Sequence, residues 1–359
     1  MMERKVILTR TECTAMKGIA ILGIMLHNYC HWLKGIAREN EYTWLQWKTD
    51  RLWEVLQQPD ELLPMHLVSY FGHYGVPVFL FLSGFGLVMK YERSGQPEAS
   101  FWRFTRYNYL KLFRIFIVGF VFFTMLDAFT PSIHRYLASE VIAMLGMYAN
   151  FLEHPSEVVW PGPYWYFSVT MQLYILYRLL FYRWRYWGIV VVLMVGCWLW
   201  QMFYLDDSET LERLRYNLVG GMLPFGMGIL AGRWSERLEV FCERDGQQWV
   251  TCFVLLLSMF LTFLFSFLSS QTWLWVPALI VVGTIALVKL IPSQVMPYVV
   301  WLGTISAAIF VTHPIVRKIF VRPYIHEDMY AGLLLYVVAT LLLSWLTKKI
   351  IDQIPNPKL

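Results

Sequence analysis

The chain has 359 residues, of which 57 % are apolar and 15 % charged, with a mean hydropathy of +0.47 and a net charge of +5. Soluble domains carry roughly 25 % charged residues, and no soluble fold can hide this much apolar surface. Disordered chains, coiled coils and almost all soluble enzymes are therefore excluded. The 17 Trp and 21 Tyr are residues that gather at membrane–water interfaces. The sequence reads as an all-α, polytopic integral membrane protein. Membrane lipid is its expected partner and nucleic acid is not, because the basic excess is spread over loops rather than gathered on one face.

A bilayer core of about 30 Å takes about 20 apolar helical residues. Such runs occur at 14–33, 71–89, 115–131, 163–182, 186–204, 216–234, 249–268, 273–291, 298–320 and 330–348. The first lacks a small-residue cleavage site and reads as a retained span. A shorter run, Leu137 to Leu152, carries Glu140 and makes the count ten or eleven. Cytoplasmic ends collect Lys and Arg, which places Arg4, Lys5 and Arg10 inside. With ten spans, Arg183, Arg185, Arg233, Arg237, Arg244, Lys348 and Lys349 fall inside too, and 137–152 becomes a re-entrant or interfacial helix. Residues 1–13 and 351–359 are then cytoplasmic tails flanking one membrane domain, 14–350. The segment from Lys34 to Tyr70, with Trp44, Trp47 and Trp53, reads as external and interfacial. The five cysteines are scattered without paired spacing, so neither a disulfide framework nor a metal site is expected.

Ionisable side chains inside spans are costly and mark candidate sites. His27 ends the stretch KGIAILGIMLH and stands about 15 Å beyond Lys17 at helical rise. Its imidazole is either a general base for a hydroxyl or a structural contact. The second span holds GVPVFLFLSGFG, Gly75 to Gly86, just after His73, and its Ser83 and glycines admit a close neighbour, whether helix or ligand. Trp165 and Tyr166 read as an interfacial belt, while Ser168, Gln172 and Tyr174 fall deeper and suit a polar cavity. His313 again lies in the outer half of its span, where it serves a site or satisfies the kink of Pro314. Two histidines at similar depth on different spans point to a site. Arg103 with Arg106, and Lys111 with Arg114, have the i, i+3 spacing that puts two cations on one helix face. That face suits phosphate or anionic lipid.

These stretches together resemble the membrane-bound acyltransferase-3 family of bacterial envelope O-acyltransferases. KGIAILGIMLH is similar to its first-span motif, GVPVFLFLSGFG to its second, and Lys111–Arg114 to its basic run before the third. Trp165–Tyr174, Leu223–Gly232 and Leu302–His313 match further segments in the right order. Lys17 stands where the family usually has Arg, and nine residues separate it from His27 rather than ten. The resemblance implies an acyltransferase of the bacterial inner membrane, both termini cytoplasmic. It would move an acyl group, commonly acetyl, from cytosolic acyl-CoA to a hydroxyl of an envelope glycan or lipid-linked saccharide. His27 and His313 would be catalytic. Arg103, Arg106, Lys111 and Arg114 would hold CoA. Lys17, His73, Ser83, Trp165, Ser168, Gln172 and Tyr174 would line the substrate path. A transporter or flippase for envelope saccharide precursors is the alternative that shares the spans.

The charge pattern makes a direct prediction. A Trp184→Cys variant should resist an impermeant thiol reagent in intact cells, and efficient labelling would place Arg183 and Arg185 outside.

Overall fold

The computed structural model describes residues 6–94, 99–131, 133–242, 248–320 and 328–358, excluding the side chains of 239–242. Arg4, Lys5 and Arg244 lie outside these residues. Among the described residues there is no strand. The main helices are α1 (Arg10–Cys30), α2 (Gln46–Gln57), α3 (Leu63–Phe71), α4 (Gly75–Leu87), α5 (Phe101–Ala128), α6 (Ala138–Leu145) and α7 (Trp165–Leu176). They continue with α8 (Trp187–Phe203), α9 (Leu218–Arg233), α10 (Gln248–Leu268), α11 (Val276–Leu290), α12 (Met296–Thr304), α13 (Ser306–Phe320) and α14 (Met329–Gln353).

The apolar runs of the sequence are helical, and their lengths differ. Among the described residues, four helical stretches are long and apolar enough to cross a membrane: Leu63–Glu92, Phe101–Ala128, Gln248–Leu268 and Met329–Gln353. A fifth arises if α12 and α13, which share the expected ninth span, count as one broken crossing. Helices α8, α9 and α11 are apolar but shorter. The eight residues of α6 reach about 12 Å, too little to cross, so 137–152 does not form an eleventh span.

Two starts differ from the sequence reading for local reasons. The second apolar helix begins at Leu63, because Pro64 occupies the first turn of α3, where its missing N–H costs nothing. A 3₁₀ turn, Gly72–Tyr74, carries the chain on towards α4. Helix α5 begins at Phe101, where the Ser100 hydroxyl accepts from Arg103 N at 3.4 Å. Arg103, Arg106, Lys111 and Arg114 are therefore helical rather than in a loop.

The chain forms two compact units, one from 1–20, 74–98 and 176–304, the other from 21–73, 99–175 and 305–359. In the first, Phe81, Leu82, Phe85, Val281 and Val288 share one apolar core. Helices α4 and α9 touch backbone to backbone: a Cβ on Gly228 would overlap the Phe81 carbonyl, and one on Gly84 the Phe225 carbonyl. The glycine of the second-span motif thus serves helix packing. In the second unit, α13 packs on α5 and α14. The Tyr164 hydroxyl donates to the Val311 carbonyl at 2.9 Å, and that of Tyr336 to the Met25 carbonyl at 2.9 Å.

Gly228→Ala should therefore destabilise the purified protein by about 1–3 kcal/mol through overpacking. Gly86, also helical, meets nothing within 4 Å, so Gly86→Ala should be neutral or gain up to about 1 kcal/mol. Thermal unfolding in detergent measures the contrast, and equal melting temperatures would deny the tight α4–α9 contact.

Candidate active site

The site begins with a close approach of α1 to the end of α3. A Cβ on Gly72 would come within 2.5 Å of the Gly23 carbonyl oxygen and 2.7 Å of His27 Cβ, so only glycine lets the two backbones meet here. That contact brings His27 Nδ1 to 2.7 Å from the Ser69 carbonyl. A carbonyl only accepts, so Nδ1 carries the proton and the neutral ring keeps its lone pair on Nε2. His27 is 2 % exposed.

The segment after α1 is gripped by one face of α3. Ala37 N donates to His66 Nδ1 at 2.9 Å, and the Ser69 hydroxyl donates to the Ala37 carbonyl at 2.6 Å. Three residues apart on a helix, His66 and Ser69 point the same way and hold both backbone groups of one residue. Leu45 N donates to Asn40 Oδ1 at 3.0 Å, and Lys48 Nζ donates to the Glu39 carbonyl at 2.7 Å. This scaffold delivers the buried Glu39 side chain. Its Oε1 lies 3.9 Å from His27 Nε2 and 3.2 Å from His31 Nδ1, while Oε2 has no hydrogen-bond partner. Burial pushes the Glu39 carboxyl up, but the positive form of His27, the His31 hydrogen bond and the positive forms of His31 and His73 outweigh it and hold the group well below the usual carboxylate range. The His73 ring centroid lies 5.4 Å from that of His27.

His313 enters from α13 and is fully buried. Its Nδ1 lies 3.0 Å from the Ile309 carbonyl, which again leaves the lone pair on Nε2, an atom with no hydrogen-bond partner. Pro314 strands the Phe310 carbonyl, and the His313 ring sits against that carbonyl and the Ile309 carbonyl before it. One turn further, Arg317 donates to Asn28 Oδ1 at 3.0 Å and lies 5.0 Å from the Trp32 ring centroid. His27, His313 and Arg317 lie within range of one another's charge.

The remaining candidates are distributed as follows. Trp165 is buried and meets Tyr42 edge-on at 5.8 Å, so it is no exposed belt residue. Ser168 and Gln172 are buried on α7, in the same unit as the histidines, and Tyr174 is half-buried. Lys17 and Ser83 belong to the first unit, half-buried, Lys17 near Cys13. Along α5, Arg103, Arg106 and Lys111 are exposed. Arg114 donates to the Ile354 carbonyl at 3.3 Å and to the Asn356 side chain.

Sequence reasoning missed His31, Glu39, Asn28 and Arg317. His31 follows His27 by four residues, the spacing of two side chains on one helix face, and Arg317 sits inside an expected span, where a cation is costly. Both signals were available. Glu39, in a polar loop, gave none.

A family model described as an acyltransferase domain matches residues 12–349, nearly the whole chain. The chain belongs to acyltransferase family 3. It is a multi-pass membrane acyltransferase that moves groups other than aminoacyl groups, which decides against the transporter reading. No curated protein and no solved structure matches it.

Acyl transfer gives these side chains a use. A buried imidazole with its lone pair fixed on Nε2, beside a carboxylate, can take a proton and be stabilised once charged. Donor atoms of His27, His31 and Glu39 also lie within 4.8 Å of one another, a spacing that a divalent ion can bridge. Anchoring Nδ1 on a carbonyl is likewise how metal-ligating histidines are oriented. The sequence reading expected no metal, so the two uses have to be separated by experiment.

Because the Glu39 pKa is depressed in the fold, its stabilisation is fully present above the ordinary value of 4.5 and fades as pH falls through the lowered one. Glu39→Gln should cost about 1–3 kcal/mol near pH 7, and the difference from wild type should shrink in acid. Melting curves across pH test this, and a gap that widens in acid would contradict it.

Proposed function

We propose that this family 3 protein transfers an acyl group, commonly acetyl, from cytosolic acyl-CoA to a hydroxyl of a cell-envelope glycan or lipid-linked saccharide. The observation that carries the reading is the buried His27, its Nδ1 committed to the Ser69 carbonyl and its Nε2 turned to Glu39. In the reaction, His27 Nε2 takes the acceptor hydroxyl proton as the oxygen attacks the thioester carbonyl. The carbon–sulfur bond breaks, CoA leaves as thiolate, and the imidazolium returns the proton to sulfur. Glu39 stabilises the imidazolium, and His313 orients the acceptor or relays the proton.

Orientation follows the charge pattern, with the termini and the Arg183–Arg185 loop cytoplasmic, in the bacterial inner membrane. The exposed cations of α5 attract the anionic donor and anionic lipid alike. On the other side, an open groove of about 550 Å³ is lined by Arg38, Trp47, Asp50, Arg51 and Glu54. An aromatic face with flanking carboxylates and guanidinia suits a saccharide. His73, Ser168, Gln172 and Tyr174 are the further candidates for the acceptor path, and Lys17, Ser83 and Trp165 remain assigned to it by resemblance.

A general base contributes about 10²–10⁴-fold to rate. His27→Gln should lose turnover on that scale while retaining yield and melting temperature, because an amide can hydrogen-bond but cannot take the proton. A folded, active His27→Gln protein would remove the catalytic role. Dialysis against a chelator should leave wild-type turnover intact. Loss that zinc restores would make His27 a metal ligand instead.

A further inference from the structure

We propose that the pocket at the Glu92–Arg233 end of the first unit binds the phosphoadenosine portion of acyl-CoA, an assignment that rests on acyl-CoA being the donor. The pocket has a volume of about 370 Å³, within the range typical of ligand sites, about 300–1,000 Å³. Arg93, Arg185 and Arg233 line it together with Tyr186, Trp187 and Trp234. Three guanidinium groups and three aromatic rings around one opening suit a ligand that is both polyanionic and planar. Arg chelates phosphate bidentately, and aromatic faces stack on a purine.

The charge balance leaves the pocket positive. Among the described residues lining it, Glu92 is the one acid, and that carboxylate is already held by Arg233, through Nε at 2.9 Å and Nη2 at 3.0 Å, and by the Tyr177 hydroxyl at 3.1 Å. Arg233 Nη2 also donates to the Phe181 carbonyl at 2.7 Å, so it braces the wall. Arg93 donates to the Gly232 carbonyl at 3.1 Å and pairs with the exposed Glu236. Arg185 is exposed, its guanidinium 5.1 Å from the Tyr182 ring centroid. The Trp187 and Trp234 rings lie 6.0 Å apart at 52°, and those of Tyr186 and Trp187 5.6 Å apart at 44°.

An independent feature of the backbone marks the same place. Val88–Glu92 and Tyr177–Phe181 are both π-helical, a rare geometry that concentrates at functional sites. The two turns are tied together by the Tyr177 hydroxyl, which also reaches the Leu87 carbonyl at 3.3 Å. A helix needs no such departure merely to pack. Here the extra residue in each turn brings Glu92 and Phe181 to Arg233. A phospholipid headgroup has no use for an aromatic wall.

The test uses the full-length protein purified in detergent, with adenosine 3′,5′-bisphosphate as the probe and acetyl-CoA as the donor. Arg185→Gln and Trp187→Ala alter exposed side chains, so both should fold, with melting temperatures near wild type. Each should weaken probe binding by about tenfold and raise the KM for acetyl-CoA similarly, with kcat nearly unchanged, as expected for a contact remote from the reacting carbon. Wild-type probe affinity in both variants, in a protein that transfers acetyl, overturns the assignment, and so does loss of binding in Arg106→Gln alone. Displacement of the probe by phosphatidylglycerol but not by CoA would make the pocket a headgroup site and also overturns it. If wild-type protein neither binds the probe nor uses any acyl-CoA, the donor reading fails and the pocket assignment falls with it.

Discussion

A single hydrogen bond, from His27 Nδ1 to the carbonyl of Ser69, decides which nitrogen of the buried imidazole is left for chemistry. It exists because Gly23 and Gly72 allow two backbones to meet, and it engages the same Ser69 whose hydroxyl fixes Ala37. One residue thus sets the tautomer of the base and anchors the segment that carries Glu39. A larger side chain at Gly72 would act on both at once. The local design places the least adaptable contact, backbone against backbone, under the group whose orientation matters most.

Each unit solves the problem of a buried carboxylate in its own way. In the second, Glu39 is met by imidazoles, while Asp127, fully buried on α5, pairs with Lys318 and accepts from His134 N at 3.0 Å. In the first, Glu92 is matched by a bidentate guanidinium and a phenol. A buried ion left without its partner costs several kcal/mol, so these sets constrain the fold as well as the chemistry. The imidazole set differs in one respect. An imidazole can donate and accept at once, whereas a guanidinium only donates.

Much of this was legible in the sequence, and the rest was hidden for definable reasons. Composition and apolar runs gave an all-helical membrane protein, and the motif order gave the family. His27 and His313 stood out because ionisable groups inside apolar runs are costly. The break in the ninth apolar run was hidden because a 20-residue window cannot see that α12 ends at Thr304 and α13 begins at Ser306. The basic cluster looked like a loop because charge is a weaker helix signal than the Ser100 cap beneath it. Glu39 was invisible: its burial is created by His66, Ser69 and Lys48, contacts that no periodicity encodes. Among the small residues at 83–86, only asking what a Cβ would strike separates Gly84, which packs on α9, from Gly86, which meets nothing within 4 Å.

The paired π turns bear on how relatives of this chain should be read. A π turn holds one residue more than an α turn, so deleting a single residue within 88–92 would restore ordinary helix geometry. Everything beyond it on that helix would rotate by about 100°, swinging Glu92 away from Arg233 and Tyr177. The apolar pattern before the turn would be untouched, and an alignment would record nothing more than a one-residue gap. Two chains that differ there by one residue can share the fold and the histidines while lacking the buried ion pair altogether.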